Sequence, residues 1–407
     1  MDRPLDRHDI LQRLTGHAPV RVILCGGGTG GHTYPAAATA RALRALTAEA
    51  GTTIDLLWVG TPDSLEQRIA AENDVPFAAI RSGKLRRDRN PLKMLNIANA
   101  KDALRLPISV LTAHNLVRRC RPDAILCTGG YVSAPIGIAS ALNRRPLVIH
   151  EQTTGIGRAN HLLARAATRI ALSSTASLDL LPTKLRTRAV VTGNPIRATL
   201  TSGEPHEAIE ALDWSGYNSA LPTVYITGGA QGAVQINELI SAVLPELLNE
   251  ANVIHQCGRS SIDKARHQAT ELPNRLRPRY VPREFVGTEL PHVLALADLI
   301  VSRSGAGTLA ELTALGKPSI LIPYPHSVDG EQIRGARHLA DHGAARALIN
   351  EEATHTKLQH ALHTLLTEPG QRATMSQAAR ALGRPHAAED LALHILDLAV
   401  DAPALVP

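Results

Sequence analysis

Val20-Arg21-Val22-Ile23-Leu24-Cys25 runs directly into Gly26-Gly27-Gly28-Thr29-Gly30-Gly31-His32. The aliphatic run predicts a buried strand, and the residues from about Pro35 onward predict a helix. A strand that turns through glycines into a helix suits close approach of backbone to an anion. Glycine lacks a Cβ and accepts positive φ, so its amides come close to oxygen atoms. The helix N-terminus behind the turn adds unpaired N–H groups and partial positive charge. His32 places a titratable group beside them.

A second turn of this design lies about two hundred residues on. Residues 223–227 read as a buried strand, Gly228-Gly229-Ala230-Gln231-Gly232-Ala233 follow, and 236–248 form an apolar helical stretch. Two such turns predict two α/β halves facing a shared cleft. The rest of the chain agrees. Short aliphatic runs at 20–25, 54–59, 77–80, 124–127, 146–150, 169–172 and 189–191 precede the second turn. Others at 223–227, 253–256, 279–281, 299–302, 319–322 and 347–349 complete the set. Helical stretches separate most of them, the pattern of parallel sheets covered on both faces. Residues 202–222 hold Gly203, Pro205, Gly216 and Pro222 with little periodicity. They suggest a linker, 201–222, between domains at 19–200 and 223–373. Residues 1–18 read as a loosely attached extension. Residues 374–407 read as a last helix that could return to the first domain.

The composition is globular: 407 residues, 44% hydrophobic, 20% charged and 2% aromatic, with a net charge of +6. The basic excess favours an anionic partner without choosing among them. Cys25, Cys120, Cys127 and Cys257 form no CxxC pair, so neither a disulfide framework nor a zinc site is expected. No apolar run has the length of a membrane span, and the first residues lack the apolar stretch of a signal peptide.

Each remaining motif falls at the end of a predicted strand, where doubly wound sheets bind ligands. Gly26 to His32 satisfies G-x-G-x-x-G, but the next strand ends Leu57-Trp58-Val59-Gly60 without the acid of a dinucleotide site. A phosphate or pyrophosphate site is the better reading, with a plain packing turn as the alternative. The helix dipole disfavours imidazolium at His32, and a neutral imidazole can act as a general base, contact a phosphate, or only brace the loop. Thr128-Gly129-Gly130-Tyr131-Val132-Ser133 and His150-Glu151-Gln152, with Thr153, Thr154 and Asn160 beyond, bring further polar groups. Arg197, after Gly193-Asn194-Pro195-Ile196, could reach a phosphate or sit in a surface ion pair. Arg303-Ser304-Gly305 precedes Glu311, a candidate for ribose hydroxyls or for a helix-dipole contact. Gln332 lies after Pro323-Tyr324-Pro325-His326 among groups able to read sugar hydroxyls. Between Lys84 and Arg105 the basic residues Arg86, Arg87, Arg89, Lys93 and Lys101 alternate with Leu85, Leu92, Met94, Leu95 and Ile97. That mixture fits an anionic membrane surface or an ordinary solvated helix. With so few aromatic residues for base stacking, nucleic acid is not an expected partner. No D-x-D pair occurs, so no metal is expected on a nucleotide-sugar diphosphate.

Taken together, these motifs resemble the MurG family of bacterial N-acetylglucosaminyltransferases. The match rests on Gly27 to His32, Gly129 to Ser133, His150-Glu151-Gln152, Gly193 to Arg197, Gly228 to Ala233, and Arg303-Ser304-Gly305 with Glu311, in the family's order over about residues 20–345. The resemblance implies a GT-B fold: two Rossmann-like parallel-sheet domains facing a deep cleft. It implies inverting transfer of GlcNAc from UDP-GlcNAc to the O4 of MurNAc in undecaprenyl-pyrophosphoryl-MurNAc-pentapeptide, with no cofactor. His32 would be the base. Gly28, Thr29, Gly30, Gly31, His32, Tyr131, Glu151 and Asn160 would hold the acceptor. Ala230, Gln231, Gly232 and Arg197 would hold the donor's diphosphate, the backbone at Phe285 and Val286 its uracil and Glu311 its ribose, with Arg303 and Gly305 also binding UDP-GlcNAc. Gln332 would recognise GlcNAc, with Thr29, Gly30, Gly31 and Thr153 also bordering the donor. The enzyme would work peripherally on the cytoplasmic face of the cell membrane, against its anionic inner leaflet. The family usually has asparagine at Thr153, often serine at Ala230, and His-Gln-x-x-Asn where this chain reads Glu331-Gln332-Ile333-Arg334-Gly335. A related lipid glycosyltransferase with another acceptor, a UDP-GlcNAc 2-epimerase-like isomerase and a non-catalytic nucleotide-binding module are the alternatives.

Overall fold

A computed structural model describes residues 5–81 and 97–401, apart from the side chains of 97–105, 158 and 328. The chain forms two compact units, one built from residues up to Arg197 together with those from His386 on, the other from Ala198–Pro385. The first contains β1 (Val20–Gly26), β2 (Ile54–Gly60), β3 (Phe77–Ala79), β4 (Ala124–Gly129), β5 (Leu147–Glu151), β6 (Arg169–Leu172) and β7 (Ala189–Val191). They form one parallel sheet in the order β3-β2-β1-β4-β5-β6-β7. The second contains β8 (Thr223–Thr227), β9 (Asn252–Gln256), β10 (Tyr280–Arg283), β11 (Leu299–Ser302), β12 (Ser319–Leu321) and β13 (Arg346–Ala347). Its parallel order is β10-β9-β8-β11-β12-β13.

These strands are short and aliphatic because helices cover both faces of each sheet, and every residue of β4, β5, β9 and β11 is buried. Helices α1 (Arg7–Leu14), α2 (Gly30–Glu49) and α3 (Leu65–Glu72) lie in the first unit with α4 (Ile97–Cys120), α5 (Ser133–Leu142) and α6 (Arg158–Leu163). In the second, α7 (Pro205–Ala211), α8 (Val234–Glu250), α9 (Ala306–Leu315) and α10 (Glu331–Asp341) precede α11 (His355–Thr367) and α12 (Pro369–Leu382). The last helix, α13 (Ala387–Val400), belongs to the first unit.

Both sheets reverse direction beside their founding strand. From β1 the chain builds outward through β2 and β3, then returns to β4 on the other side; β8 and β11 repeat the move. Loops leaving the carboxyl ends of such a pair diverge to opposite faces and leave a crevice, the usual ligand site of this architecture. The first glycine turn follows β1, Gly129-Gly130 closes β4, the second glycine turn follows β8, and Arg303-Ser304-Gly305 follows β11.

The structure corrects several sequence expectations. Helix α2 begins at Gly30 rather than near Pro35. First-turn amides have no helical acceptor in any case, so Gly30 and Gly31 enter the helix at little cost, and His32 N and Thr33 N both donate to Thr29 O. Residues 5–18 are no loose extension: Ile10 and Leu14 of α1 are 1% and 0% exposed in the core shared with α2 and α13. The proposed linker at 201–222 is folded as part of the second unit, with Ala208, Leu212 and Trp214 buried. The final segment is two helices in different units. Ala379 of α12 is buried in the second, while Leu391, Ala392, Ile395 and Leu396 of α13 are buried in the first. Arg169 at the start of β6 grips Asp397 through both Nη atoms at 3.0 Å.

Most of the basic stretch falls outside the described residues: Lys84, Arg86, Arg87, Arg89 and Lys93 in position, Lys101 and Arg105 in side chain. Leu106, Ile108 and Leu111 on the following helix are exposed. Among the described residues no helix is long and apolar enough to cross a membrane.

Candidate active site

In the first unit the glycine turn is shaped from behind. Glu66, 1% exposed on α3, accepts from Thr61 N and Thr61 Oγ1 at 3.2 and 2.9 Å and from Gly28 N at 3.3 Å. Burial opposes its charge, but these hydrogen bonds outweigh burial and hold the carboxyl below its usual range. The sequence offered no sign of this anchor, because the acid stands beyond β2 and not at its end. Tyr131 flanks Gly28, and its hydroxyl lies 3.2 Å from Thr61 Oγ1. Gly130 has φ +84°, and a Cβ there would collide with Gly27 O, so the loops after β1 and β4 can meet only as glycines. Thr29 gives α2 no side-chain cap, which leaves first-turn amides open at Gly30 and Gly31.

His32 stands at this crevice. Its Nδ1 is 2.9 Å from Gln152 Oε1 and 3.0 Å from Thr128 O. Gln152 Nε2 donates to Thr128 O at 2.6 Å and lies 3.0 Å from His150 Nδ1; His150 Nε2 is 2.8 Å from Gly193 O. Glu151, expected to meet the acceptor, turns to the other side of its strand and closes its own loop. It accepts from Thr153 N and Oγ1 at 3.1 and 2.9 Å, from Gly157 N at 2.7 Å and from Asn160 Nδ2 at 3.0 Å. Thr153 and Asn160, both assigned to substrates from sequence, thus engage their hydroxyl and Nδ2 groups within this loop; Asn160 Oδ1 is buried with no partner among the described residues. Arg197 carries its guanidinium 5.8 Å from the centre of the Tyr34 ring on α2.

In the second unit, Gly229, Ala230 and Gln231 form the exposed tip of the turn after β8. Gly229 N donates to Thr227 Oγ1 at 3.0 Å, Gly232 N donates to Gly229 O at 3.0 Å, and Ala233 gives α8 no side-chain cap. Sequence reasoning passed over Gln256 at the end of β9, 4% exposed, which organises this loop. Its Nε2 donates to Thr227 Oγ1 and Gly229 O at 3.0 and 2.8 Å, and its Oε1 accepts from Val286 N at 2.8 Å. Of the Val286 backbone assigned to uracil, the N–H is therefore already taken. Gly305 gives α9 a second uncapped N-terminus, with Glu311 in its second turn. Arg303 is mainly a strut: Nη1 donates to Gln235 Oε1, Ile322 O and Pro323 O at 2.9, 2.9 and 3.1 Å. Gln332 Oε1 accepts from Tyr324 N at 2.9 Å, and its Nε2 has no partner among the described residues. Among those residues no three His, Cys, Asp or Glu side chains gather as metal ligands.

Buried histidines give these units a pH dependence. Burial pushes His150 and His255, 0% and 3% exposed, down to about 4 from 6.5, and His394 moves the same way. A group whose folded pKa is depressed contributes stability above its unfolded pKa and loses it as pH falls toward the folded value. Stability should therefore hold above pH 6.5 and decline toward pH 4, by about 2 kcal/mol at pH 5 for each of His150 and His255. Urea midpoints measured from pH 7.5 to 4.5 check this; a midpoint unchanged between pH 7 and 5 rejects it.

Residues 22–172 match the glycosyltransferase family 28 N-terminal domain and residues 223–391 its C-terminal domain. These matches, laid over two doubly wound units, define a glycosyltransferase of the GT-B fold. Two relatives are named UDP-N-acetylglucosamine–N-acetylmuramyl-(pentapeptide) pyrophosphoryl-undecaprenol N-acetylglucosamine transferase. That of Listeria welshimeri is 33% identical over 93% of this chain and 99% of its own, and that of Lactiplantibacillus plantarum 34% identical over 94% and 100%. The crystal structure of Acinetobacter baumannii MurG superposes with a TM-score of 0.70 at 25% identity, covering 93% of this chain and 100% of that one. The chain belongs to this MurG family of UDP-GlcNAc-dependent N-acetylglucosaminyltransferases. The UDP-GlcNAc 2-epimerase of Neisseria meningitidis, at 12% identity and a TM-score of 0.61, shares the fold alone.

Proposed function

We propose that the protein transfers GlcNAc from UDP-GlcNAc to the O4 hydroxyl of MurNAc in undecaprenyl-pyrophosphoryl-MurNAc-pentapeptide, converting lipid I to lipid II for peptidoglycan. One observation carries the reading: each sheet has a glycine turn and an uncapped helix at its point of reversal, and both substrates bear a pyrophosphate. The turn before α2 suits the acceptor's pyrophosphate; that before α8 suits the donor's. His32 takes the O4 proton as O4 bonds to C1 of GlcNAc. The bond from C1 to the phosphate oxygen breaks on the opposite face, inverting the configuration and releasing UDP. The charge growing on UDP is met by the α8 amides and Arg197, with Glu311 on the ribose and the free Gln332 Nε2 group on a GlcNAc hydroxyl. Exposed Leu106, Ile108 and Leu111, beside the basic stretch, suit docking on the anionic cytoplasmic leaflet where the acceptor's lipid resides.

Purified protein supplied with UDP-[14C]GlcNAc and a short-chain lipid I analogue should move label into the lipid fraction. A diacylglycerol acceptor should receive none. Label remaining in the nucleotide sugar, or appearing as its 2-epimer, overturns the proposal.

A further inference from the structure

The groups behind His32 form a chain in which every hydrogen bond has a determined direction. It starts at Gly193 O, a carbonyl that can only accept, so His150 Nε2 carries the proton of the 2.8 Å contact. His150 is fully buried and its folded pKa is pushed down to about 4, so it is neutral at pH 7 and its Nδ1 accepts. The donor at 3.0 Å is Gln152 Nε2, whose two hydrogens are shared among His150 Nδ1, Thr128 O at 2.6 Å and His150 O at 3.0 Å. Those contacts settle which end of the amide is which, and Oε1 faces His32. At 2.9 Å from Oε1 and 3.0 Å from Thr128 O, His32 Nδ1 meets two acceptors and no donor, so it carries the ring proton. Nε2 then keeps its lone pair.

We infer that Gln152 is a positioning residue for His32, its amide aimed by His150, and that together they hold the ring as the Nδ1–H tautomer with Nε2 ready to accept a proton. This rests on the reading of His32 as the base. Among the described residues no carboxylate backs the imidazole; the neighbouring Glu151 is committed to its loop by four hydrogen bonds. When His32 becomes imidazolium, its ring charge is met at Nδ1 by two carbonyl oxygens, Gln152 Oε1 and Thr128 O. Removing the His150 ring takes one of three acceptors from Gln152 Nε2 and leaves the amide held by Thr128 O and His150 O alone, so Oε1 is aimed less tightly at Nδ1.

The tautomer is measured on the intact protein by long-range 15N–1H NMR of histidine-labelled enzyme, with His32 resonances assigned by their loss in His32→Ala. The Nδ1–H pattern is expected, and an Nε2–H pattern overturns the inference without need of a further variant. Kinetics supply the second readout. Losing one of two acceptors of a charge-assisted bond should lower kcat about 10- to 100-fold in Gln152→Leu, and His150→Phe, which only loosens the amide, should lower it less. KM for both substrates should stay within about threefold, because neither group touches substrate. Gln152→Glu, with its carboxyl proton donated toward Thr128 O, restores an acceptor facing Nδ1 and should recover part of the kcat lost in Gln152→Leu. Wild-type kcat in Gln152→Leu, while His32→Ala is inactive, rejects the positioning role alone. Retained activity in His32→Ala rejects instead the base on which it depends.

Discussion

Replacing His32 by alanine is expected to lower kcat by ~10²–10⁴-fold, the range typical of a lost general base. KM for UDP-GlcNAc should change little, since most donor-side candidates, Gly228 to Ala233, Glu311 and Gln332 among them, lie in the other unit and the backbone of Thr29 to Gly31 does not depend on the imidazole. The fold should survive as well. His32 is in the first turn of α2, and its backbone bonds, N to Thr29 O and O from Thr128 Oγ1, do not use the imidazole. The measurement is steady-state kinetics with both substrates saturating, supported by a melting curve that matches the wild type. A fall of less than tenfold in correctly folded His32→Ala would remove the residue from the mechanism.

A comparably large effect is expected at Gly232, in stability and donor binding together. Gly232 has φ +76°, and a Cβ would run into Cys257 O and crowd Gly258, both backbone that cannot swing aside. Gly229, three residues earlier, has φ +87° and open space around its Cβ position. The two positions separate torsional strain from collision within one turn. Gly229→Ala should cost about 1 kcal/mol from strain alone. Gly232→Ala should cost about 2–4 kcal/mol, because the turn must also move off β9. That movement misdirects the α8 amides, so stabilisation by added UDP-GlcNAc should largely vanish in Gly232→Ala and persist in Gly229→Ala. Urea unfolding of both variants with and without UDP-GlcNAc decides the matter; equal losses at the two positions would show that the turn is not pressed against β9.

The strands were readable because each is a short aliphatic run buried on both faces, a pattern that needs no knowledge of its neighbours. Terminal and linking segments were misread for the opposite reason. Helix α1 has eight residues and a weak apolar face; it is ordered by α2 and by α13, whose residues lie nearly four hundred positions away. Residues 202–222 lack helical periodicity, yet Trp214 is buried there, its Nε1 donating to Pro278 O at 2.9 Å. Glycine turns were visible as composition. Their supports, Glu66 and Gln256, were not, because a single buried polar residue carries no pattern until its partners are known.

From residues alone came the alternation of strands and helices, the two glycine turns and the histidine beside the first of them, since these rest on local chain geometry and backbone access. Folding in three dimensions decided which polar groups remain available. It turned Glu151 and Asn160 inward to a loop, gave the Val286 amide to Gln256, and set Gln152 behind His32. A side chain's chemistry depends on which donors and acceptors its neighbours leave unsatisfied, and those neighbours are assembled only when distant segments close on one another.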